Sequence, residues 1–180
     1  KIFINELLKA NKKHNFISKS TEQVIWHRHI LDSAQLVKFI DFSKSSLSDL
    51  GSGAGFPGLI LALFNKNKDF HVKLYEKSPV KRAFLSYISD RLSLKIQILG
   101  NVYEDFIDTD YIVCRAFKKL DAIIQVSREI AKKSHKLIIL KGQNAQKDLK
   151  KAFNKEKYDY KLENSITNKD SKIIIVDFKK

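Results

Sequence analysis

The sequence predicts an α/β fold: a mostly parallel sheet covered by helices on both faces and preceded by a helical extension. Three observations predict it. From Leu47 onward, short apolar runs alternate with longer amphipathic stretches, the pattern of a parallel sheet with crossover helices. The first apolar run leads into a glycine-rich turn, Asp49-Leu50-Gly51-Ser52-Gly53-Ala54-Gly55-Phe56-Pro57-Gly58. The last two strand candidates are joined only by SITNKDS, too short for a crossover and suited to an antiparallel hairpin. The 180 residues fit one domain, divided into a helical extension over 1–42 and an α/β core over 43–180.

Taken in order, residues 2–10 place Ile2, Phe3, Leu7 and Ala10 at helical spacing, and 11–20 read as a polar connection. Residues 22–40 carry the longest amphipathic pattern. Val24, Ile25, Ile30, Leu31, Ala34, Leu36, Val37 and Ile40 can share one broad face, with Ser20 or Thr21 as the cap. Seven strands are expected at 46–50, 71–75, 95–99, 110–114, 136–140, 158–163 and 172–178, the last antiparallel. Helices are expected at 57–65, 79–92, 119–133 and 144–154.

Composition narrows the class. Hydrophobic residues make up 43% and charged residues 30%, a globular balance, and no run of about 18 apolar residues is present. The first stretch, KIFINELLKANKKHNF, has no apolar h-region and does not read as a secretory signal. The chain holds no methionine, so a start upstream of Lys1 is expected. The single Cys114 excludes an internal disulfide framework and a cysteine zinc site; no metal is expected, and a cytoplasmic location fits. Net charge is +14 and the pI about 9.7. That implies a polyanionic partner, nucleic acid or an anionic membrane surface, set against a compositional drift toward lysine.

The glycine turn sits where open α/β sheets bind ligands, at the carboxyl end of a strand. Its spacing is D-x-G-x-G-x-G, not G-x-G-x-x-G, and it lacks the Lys-Ser/Thr of a P-loop. Gly51, Gly53 and Gly55 let a ligand approach the backbone. An acid at Asp49 discourages a phosphate and welcomes a cation or an amino group. S-adenosylmethionine (SAM) carries both, a sulfonium and an α-ammonium. Glu76, at the end of the second strand, is placed to accept both ribose hydroxyls of a nucleoside. Past the third strand an adenine can rest against Val102 and Tyr103, though Tyr103 reads equally well as a packing aromatic. Cys114 reads as a small core residue.

These residues are similar to the RsmG (GidB) family of bacterial 16S rRNA guanine-N7 methyltransferases. Asn11-Lys12 and Asn15-Phe16-Ile17-Ser18 resemble its WN-K-x-x-NLT segment, without the Trp. Arg28-His29-Ile30-Leu31-Asp32-Ser33 matches RHILDS, and residues 49–58 match D-x-G-(S/T)-G-x-G-x-PG. Lys81-Arg82 follows the second strand as in the family. Cys114-Arg115-Ala116-Phe117 matches (S)RAF, and Leu140-Lys141-Gly142 matches LKG. The likeness runs from residue 3 to the end. Asn101-Val102-Tyr103-Glu104 departs from the family's R-A-E-E.

The resemblance implies a class I, Rossmann-like SAM-dependent methyltransferase fold, SAM as cofactor, and 16S rRNA or the small ribosomal subunit as partner. It implies no membrane partner, and a monomer is expected. Gly51 and Phe56 fall on cofactor positions, Val102 and Tyr103 flank the adenine, and Arg115 falls on a position lining both cofactor and site. Arg115 and Lys141 are the catalytic candidates, Lys141 acting on RNA phosphate or on guanine O6. Arg28, His29, Asp32, Lys81 and Arg82 are the RNA candidates. His29 and Asp32, three apart on one helix, can pair with each other, touch RNA or close over the cofactor. Two other readings stand beside this one: an NAD-type oxidoreductase, which the glycine spacing disfavours, and a non-enzymatic RNA-binding or assembly protein on the same fold.

Overall fold

A computed structural model describes residues 1–44, 46–153 and 158–180. Seven strands form one sheet: β1 (Ser46–Leu50), β2 (His71–Tyr75), β3 (Ile96–Leu99), β4 (Tyr111–Arg115), β5 (His135–Lys141), β6 (Tyr160–Asn164) and β7 (Lys172–Phe178). Their order is β3-β2-β1-β4-β5-β7-β6. The pairs β3–β2, β2–β1, β1–β4 and β4–β5 are parallel. The last strand, β7, runs antiparallel to both β5 and β6, so the short final connection does make the predicted hairpin. Chain order reverses between β1 and β4, which puts a ligand crevice at their carboxyl ends.

Period-2 alternation assigns side chains to two cores. On β4, Tyr111 and Val113 enter one cluster while Ile112 and Cys114 enter the other; on β7, Ile173 and Ile175 oppose Ile174 and Val176. The first core is roofed by α1 (Ile2–Asn11), α4 (Gly58–Phe64) and α5 (Pro79–Arg91). It takes Phe3 and Leu7 from the first of these, Leu59 and Leu61 from the second, and Phe84, Leu85 and Ile88 from the third. The second core is roofed by α6 (Leu120–Ile130), through Ile123, Ile124 and Ile130, and by α7 (Ala145–Phe153), through Leu149. Helix α5 starts where Pro79 occupies the first turn and the Ser78 hydroxyl accepts from the Lys81 N–H, a favourable start for both reasons.

The strands fall within a residue or two of expectation, and helices 57–65, 79–92 and 119–133 match α4, α5 and α6 to within three. The expected helix at 144–154 ends at Phe153; residue 154 lies outside the described residues.

The segment 22–40 departs from a single regular helix. A short α2 (Lys19–Glu22) precedes a π-helical turn at Trp26–Leu31, then α3 (Asp32–Ala34) and a 3₁₀ turn at Gln35–Phe39. The expected cap at Ser20 or Thr21 is instead Ser18, the residue before α2, whose side chain makes no capping bond. The π turn adds residues to the turn and rotates the apolar face. Ile25 and Leu36 stay buried, while Val24 and Leu31 emerge 46% and 41% exposed.

Candidate functional site

Two cavities open along the carboxyl edge of the sheet. The first, about 680 Å³, is walled by the glycine turn, the ends of β2 and β3, and the Phe16-Ile17-Ser18 loop; the second, about 500 Å³, lies toward β5 and α7. Both volumes suit a small ligand or a nucleoside. His29, Arg115 and Ala116 line both cavities and form the wall between them.

Of the expected cofactor residues, Gly51, Gly53, Phe56, Glu76, Val102, Tyr103 and Arg115 line the first cavity. Gly51 (φ +73°) is in the left-handed region, and a Cβ there would fall 2.5 Å from the Phe117 ring. The ring reaches that spot because Ala116 turns left-handed (φ +51°) just past β4, so the RAF segment folds back onto the glycine turn. Glu76 braces the turn from below: Oε2 accepts the Gly53 N–H at 2.9 Å and Oε1 the Ser78 N–H at 2.8 Å. Val102 is buried and Tyr103 half-exposed, with the Lys118 ammonium 4.6 Å from the Tyr103 ring centroid.

Asp49 and Gly55 do not line the cavity. Asp49 is fully buried, and its Oδ2 accepts the Gly58 N–H at 2.9 Å. Gly58 must be bare because a Cβ would meet Asp49 Cβ at 2.6 Å and Leu74 Cδ2 at 2.4 Å. Burial pushes the Asp49 carboxyl up to about 7, against the Gly58 N–H, which pulls it down. Its other oxygen has no hydrogen-bond partner among the described residues. A carboxyl in this setting anchors the start of α4 from inside the core and does not reach the cavity. Gly55 sits behind the wall against Leu59 and Leu85.

The expected RNA residues divide in the same way. Arg28, His29 and Asp32 line the second cavity with Lys141, and Lys81 lines the first. Arg82 lines neither. Its Nη1 donates to the carbonyls of Glu76 and Lys77 at 3.0 and 2.8 Å, which braces the turn from β2 into α5.

Arg115 joins the π turn to the sheet. Nη1 donates to the Arg28 carbonyl at 3.0 Å and lies 3.6 Å from Asp32 Oδ2; Nη2 lies 2.9 Å from His29 Nδ1. The guanidinium sits 5.0 Å from the Phe56 ring centroid, and His29 stacks on the same ring at 4.9 Å. Because a guanidinium only donates, His29 Nδ1 accepts. Nε2 then carries the proton and donates to Thr21 Oγ1 at 2.9 Å, and Thr21 in turn donates to the Ser18 carbonyl at 2.9 Å. The chain of bonds therefore runs from β4 to the loop over the first cavity.

Burial pushes the His29 imidazole down to about 4, with Arg115 and then Arg28 adding to the effect. The unfolded chain, with an ordinary histidine near 6.5, binds more protons than the folded one between these values. The His29 contribution to stability is therefore lost as pH falls from about 6.5 through about 4. We expect ¹⁵N NMR to show His29 as the neutral Nε2–H tautomer down to about pH 5; a titration midpoint above pH 6 would contradict the accepting Nδ1.

Residues absent from the expected site also matter. Asn11 is buried and holds the Phe16–Ser18 loop. Oδ1 accepts the Phe16 and Ile17 N–H groups at 2.8 and 2.9 Å, and Nδ2 donates to the Ile17 carbonyl at 3.1 Å. Asn11→Ala leaves those backbone groups unpaired at about 1–3 kcal/mol each where buried. The expected result is a melting temperature lower by several degrees and at least tenfold weaker SAM binding, read by calorimetry. Asp32 Oδ1 accepts from Gln35 at 2.9 Å and from Thr167 at 2.7 Å, so the β6–β7 turn also supports the wall. Thr167 lies 135 residues from Asp32, and no local pattern announces that contact.

Cys114 is buried in the second core, and burial pushes its thiol up, as expected of a packing residue.

The fold is similar to that of solved methyltransferases. A SAM-dependent methyltransferase from Aquifex aeolicus aligns with TM-score 0.66 and 12% identity over 93% of this chain and 97% of its own. TYW2 of M. jannaschii, solved in complex with AdoMet, aligns with TM-score 0.59 and 18% identity over 85% and 76%. At these identities the likeness establishes the fold, a seven-stranded SAM-dependent methyltransferase sheet. Sequence relatives are nearer. The ribosomal RNA small subunit methyltransferase G of Pelagibacter ubique is 37% identical over 94% of this chain and 83% of its own length. That of Rickettsia typhi is 38% identical over 98% and 91%. The family described as rRNA small subunit methyltransferase G matches residues 1–175, a span that takes in the glycine turn, the Arg115 wall and both cavities, and the chain belongs to that family, GidB.

Proposed function

We propose that the chain is a single-domain, monomeric, cytoplasmic enzyme that transfers the methyl group of SAM to N7 of a guanine in 16S rRNA, as naked RNA or in the small subunit. The observation that carries this reading is the pair of cavities sharing one wall at the carboxyl end of β4. A donor in one and an acceptor in the other meet at His29, Arg115 and Ala116.

The first cavity suits SAM. Each oxygen of Glu76 already accepts one backbone N–H and keeps lone pairs for the two ribose hydroxyls. Val102 and Tyr103 flank the adenine, and Gly51, Gly53 and Phe56 bring backbone and ring against the rest. SAM bound there supplies an electrophilic methyl group on a sulfonium. Guanine N7 offers a lone pair and carries no proton, so no general base is required. The chain's task is alignment and electrostatics. Arg115 fixes the wall, Lys141 presents a cation to the acceptor, and Arg28 and Lys81 supply positive charge at the cavity mouths for phosphate.

The reading is tested by calorimetric titration with SAM and, separately, with NAD, followed by transfer of labelled methyl from SAM to small-subunit RNA. Saturable SAM binding, no NAD binding and label recovered as 7-methylguanosine are expected. A folded protein that binds SAM and labels no RNA would overturn the RNA substrate, and one that binds NAD instead would overturn the reading as a whole.

A further inference from the structure

The second cavity contains an ion pair in which the expected Lys141 meets a residue that no motif singles out, Asp148. Lys141 Nζ at the end of β5 lies 2.9 Å from Asp148 Oδ2 in the first turn of α7. Both residues line the cavity, and their side chains are 20% and 34% exposed. The pair thus faces open space on one side.

Its chemistry matches one base edge. The Watson–Crick edge of guanine reads O6 acceptor, N1–H donor, N2–H donor. An ammonium beside a carboxylate reads donor, acceptor, acceptor. Adenine presents an N6 donor toward the ammonium and a bare N1 lone pair toward the carboxylate, so both contacts become repulsive. Enzymes that act on an extruded base read it through this edge.

The order of elements matches as well. Arg115 ends β4 and pairs in register with Leu140 on β5, whose next residue is Lys141; α7 follows. Around the purine the order is N7, O6, N1, N2. With N7 at the wall shared with the first cavity, O6 falls toward Lys141 and the N1/N2 edge toward Asp148.

Resting on the proposed guanine-N7 activity, we infer that Asp148 is a specificity-determining residue: its carboxylate accepts N1–H and N2–H of the target guanine while Lys141 donates to O6. The Lys141–Asp148 contact is then the resting arrangement of a reader that opens to the base. Methylation at N7 makes the purine cationic and its N1–H a stronger donor, so the bond to Asp148 strengthens as the methyl group arrives. A contact of that kind raises kcat as well as selecting the base.

The test uses a short RNA spanning the guanine that the wild-type protein methylates, synthesised with guanine or with inosine, which lacks only the N2 amino group. For wild type, inosine should lower kcat/KM by about tenfold to a hundredfold, one hydrogen bond to a charged group. Binding of the RNA without SAM, read by fluorescence anisotropy, should weaken in the same sense. Asp148→Ala should lose activity on guanine and treat the two RNAs alike to within about twofold, and Asp148→Asn should fall between. Unchanged SAM affinity checks that both variants are folded. A purely structural ion pair predicts equal losses on both RNAs, with the wild-type ratio preserved in Asp148→Ala, and that result overturns the inference alone. Failure of wild type to methylate any RNA overturns the underlying activity and the inference with it.

Discussion

Glu76→Ala is expected to weaken SAM binding by at least 100-fold while leaving the protein folded. The carboxylate does two jobs at one point. It accepts the Gly53 and Ser78 N–H groups at 2.9 and 2.8 Å, and so sets the shape of the glycine turn before any ligand arrives. In the proposed SAM complex it also accepts the ribose hydroxyls from its place just past the end of β2. Hydrogen bonds to a charged group contribute about 1.5–3 kcal/mol each, so two lost hydroxyl contacts correspond to a factor of about 100 or more. Disorder of the turn adds to this. Glu76→Gln separates the two roles. An amide oxygen can still accept one backbone N–H, so the turn is partly kept, but the amide replaces two charge-assisted acceptors with one neutral acceptor. Calorimetry should therefore rank wild type above Gln above Ala. Equal affinity for wild type and Ala would show that Glu76 serves the turn alone and that the ribose is held elsewhere.

The sheet and the glycine turn were legible because their signals are local. Alternating apolar runs locate the strands to within a residue or two. An acid at the end of β2, 23 residues beyond Gly53, is visible once the first strand and turn are identified. The π turn was not legible, because the apolar residues of 22–40 permit a regular helix. Only tertiary contact decides, and Arg115 takes the Arg28 carbonyl as a partner. Asp49 misleads for a related reason. An acid beside a glycine turn reads as a ligand contact, yet the close approach of Gly58 seals it inside the core. Asn11 and Asp148 are single polar residues on helices. Nothing periodic singles out such residues, and their roles appear only when a loop or a cavity is brought against them. The site is thus half written in motifs and half in contacts that only the fold creates.

Arg115→Ala is expected to lower kcat/KM for methyl transfer by at least 100-fold. The side chain holds three partners from the opposite wall: the Arg28 carbonyl, His29 Nδ1 and Asp32 Oδ2. Removing it leaves His29 without its donor and the partly buried Asp32 carboxylate without its cation, and the π turn is freed from β4. That turn carries the wall between the two cavities, so the loss falls on the alignment of donor and acceptor. A misplacement of about 1 Å can cost about 100-fold in rate. Arg115→Lys should not rescue the activity. A lysine keeps the charge but cannot present the planar fork that reaches a carbonyl, an imidazole and a carboxylate at once. Single-turnover transfer of labelled methyl at saturating SAM and RNA separates the two effects. The expected result is a fall in the rate of the chemical step that exceeds any fall in SAM affinity, similar in Ala and Lys. Recovery of most of the rate in Arg115→Lys would mean that charge alone matters at this wall. The hydrogen-bonded clamp from β4 through His29 and Thr21 to Ser18 would then be scaffolding that the reaction does not need.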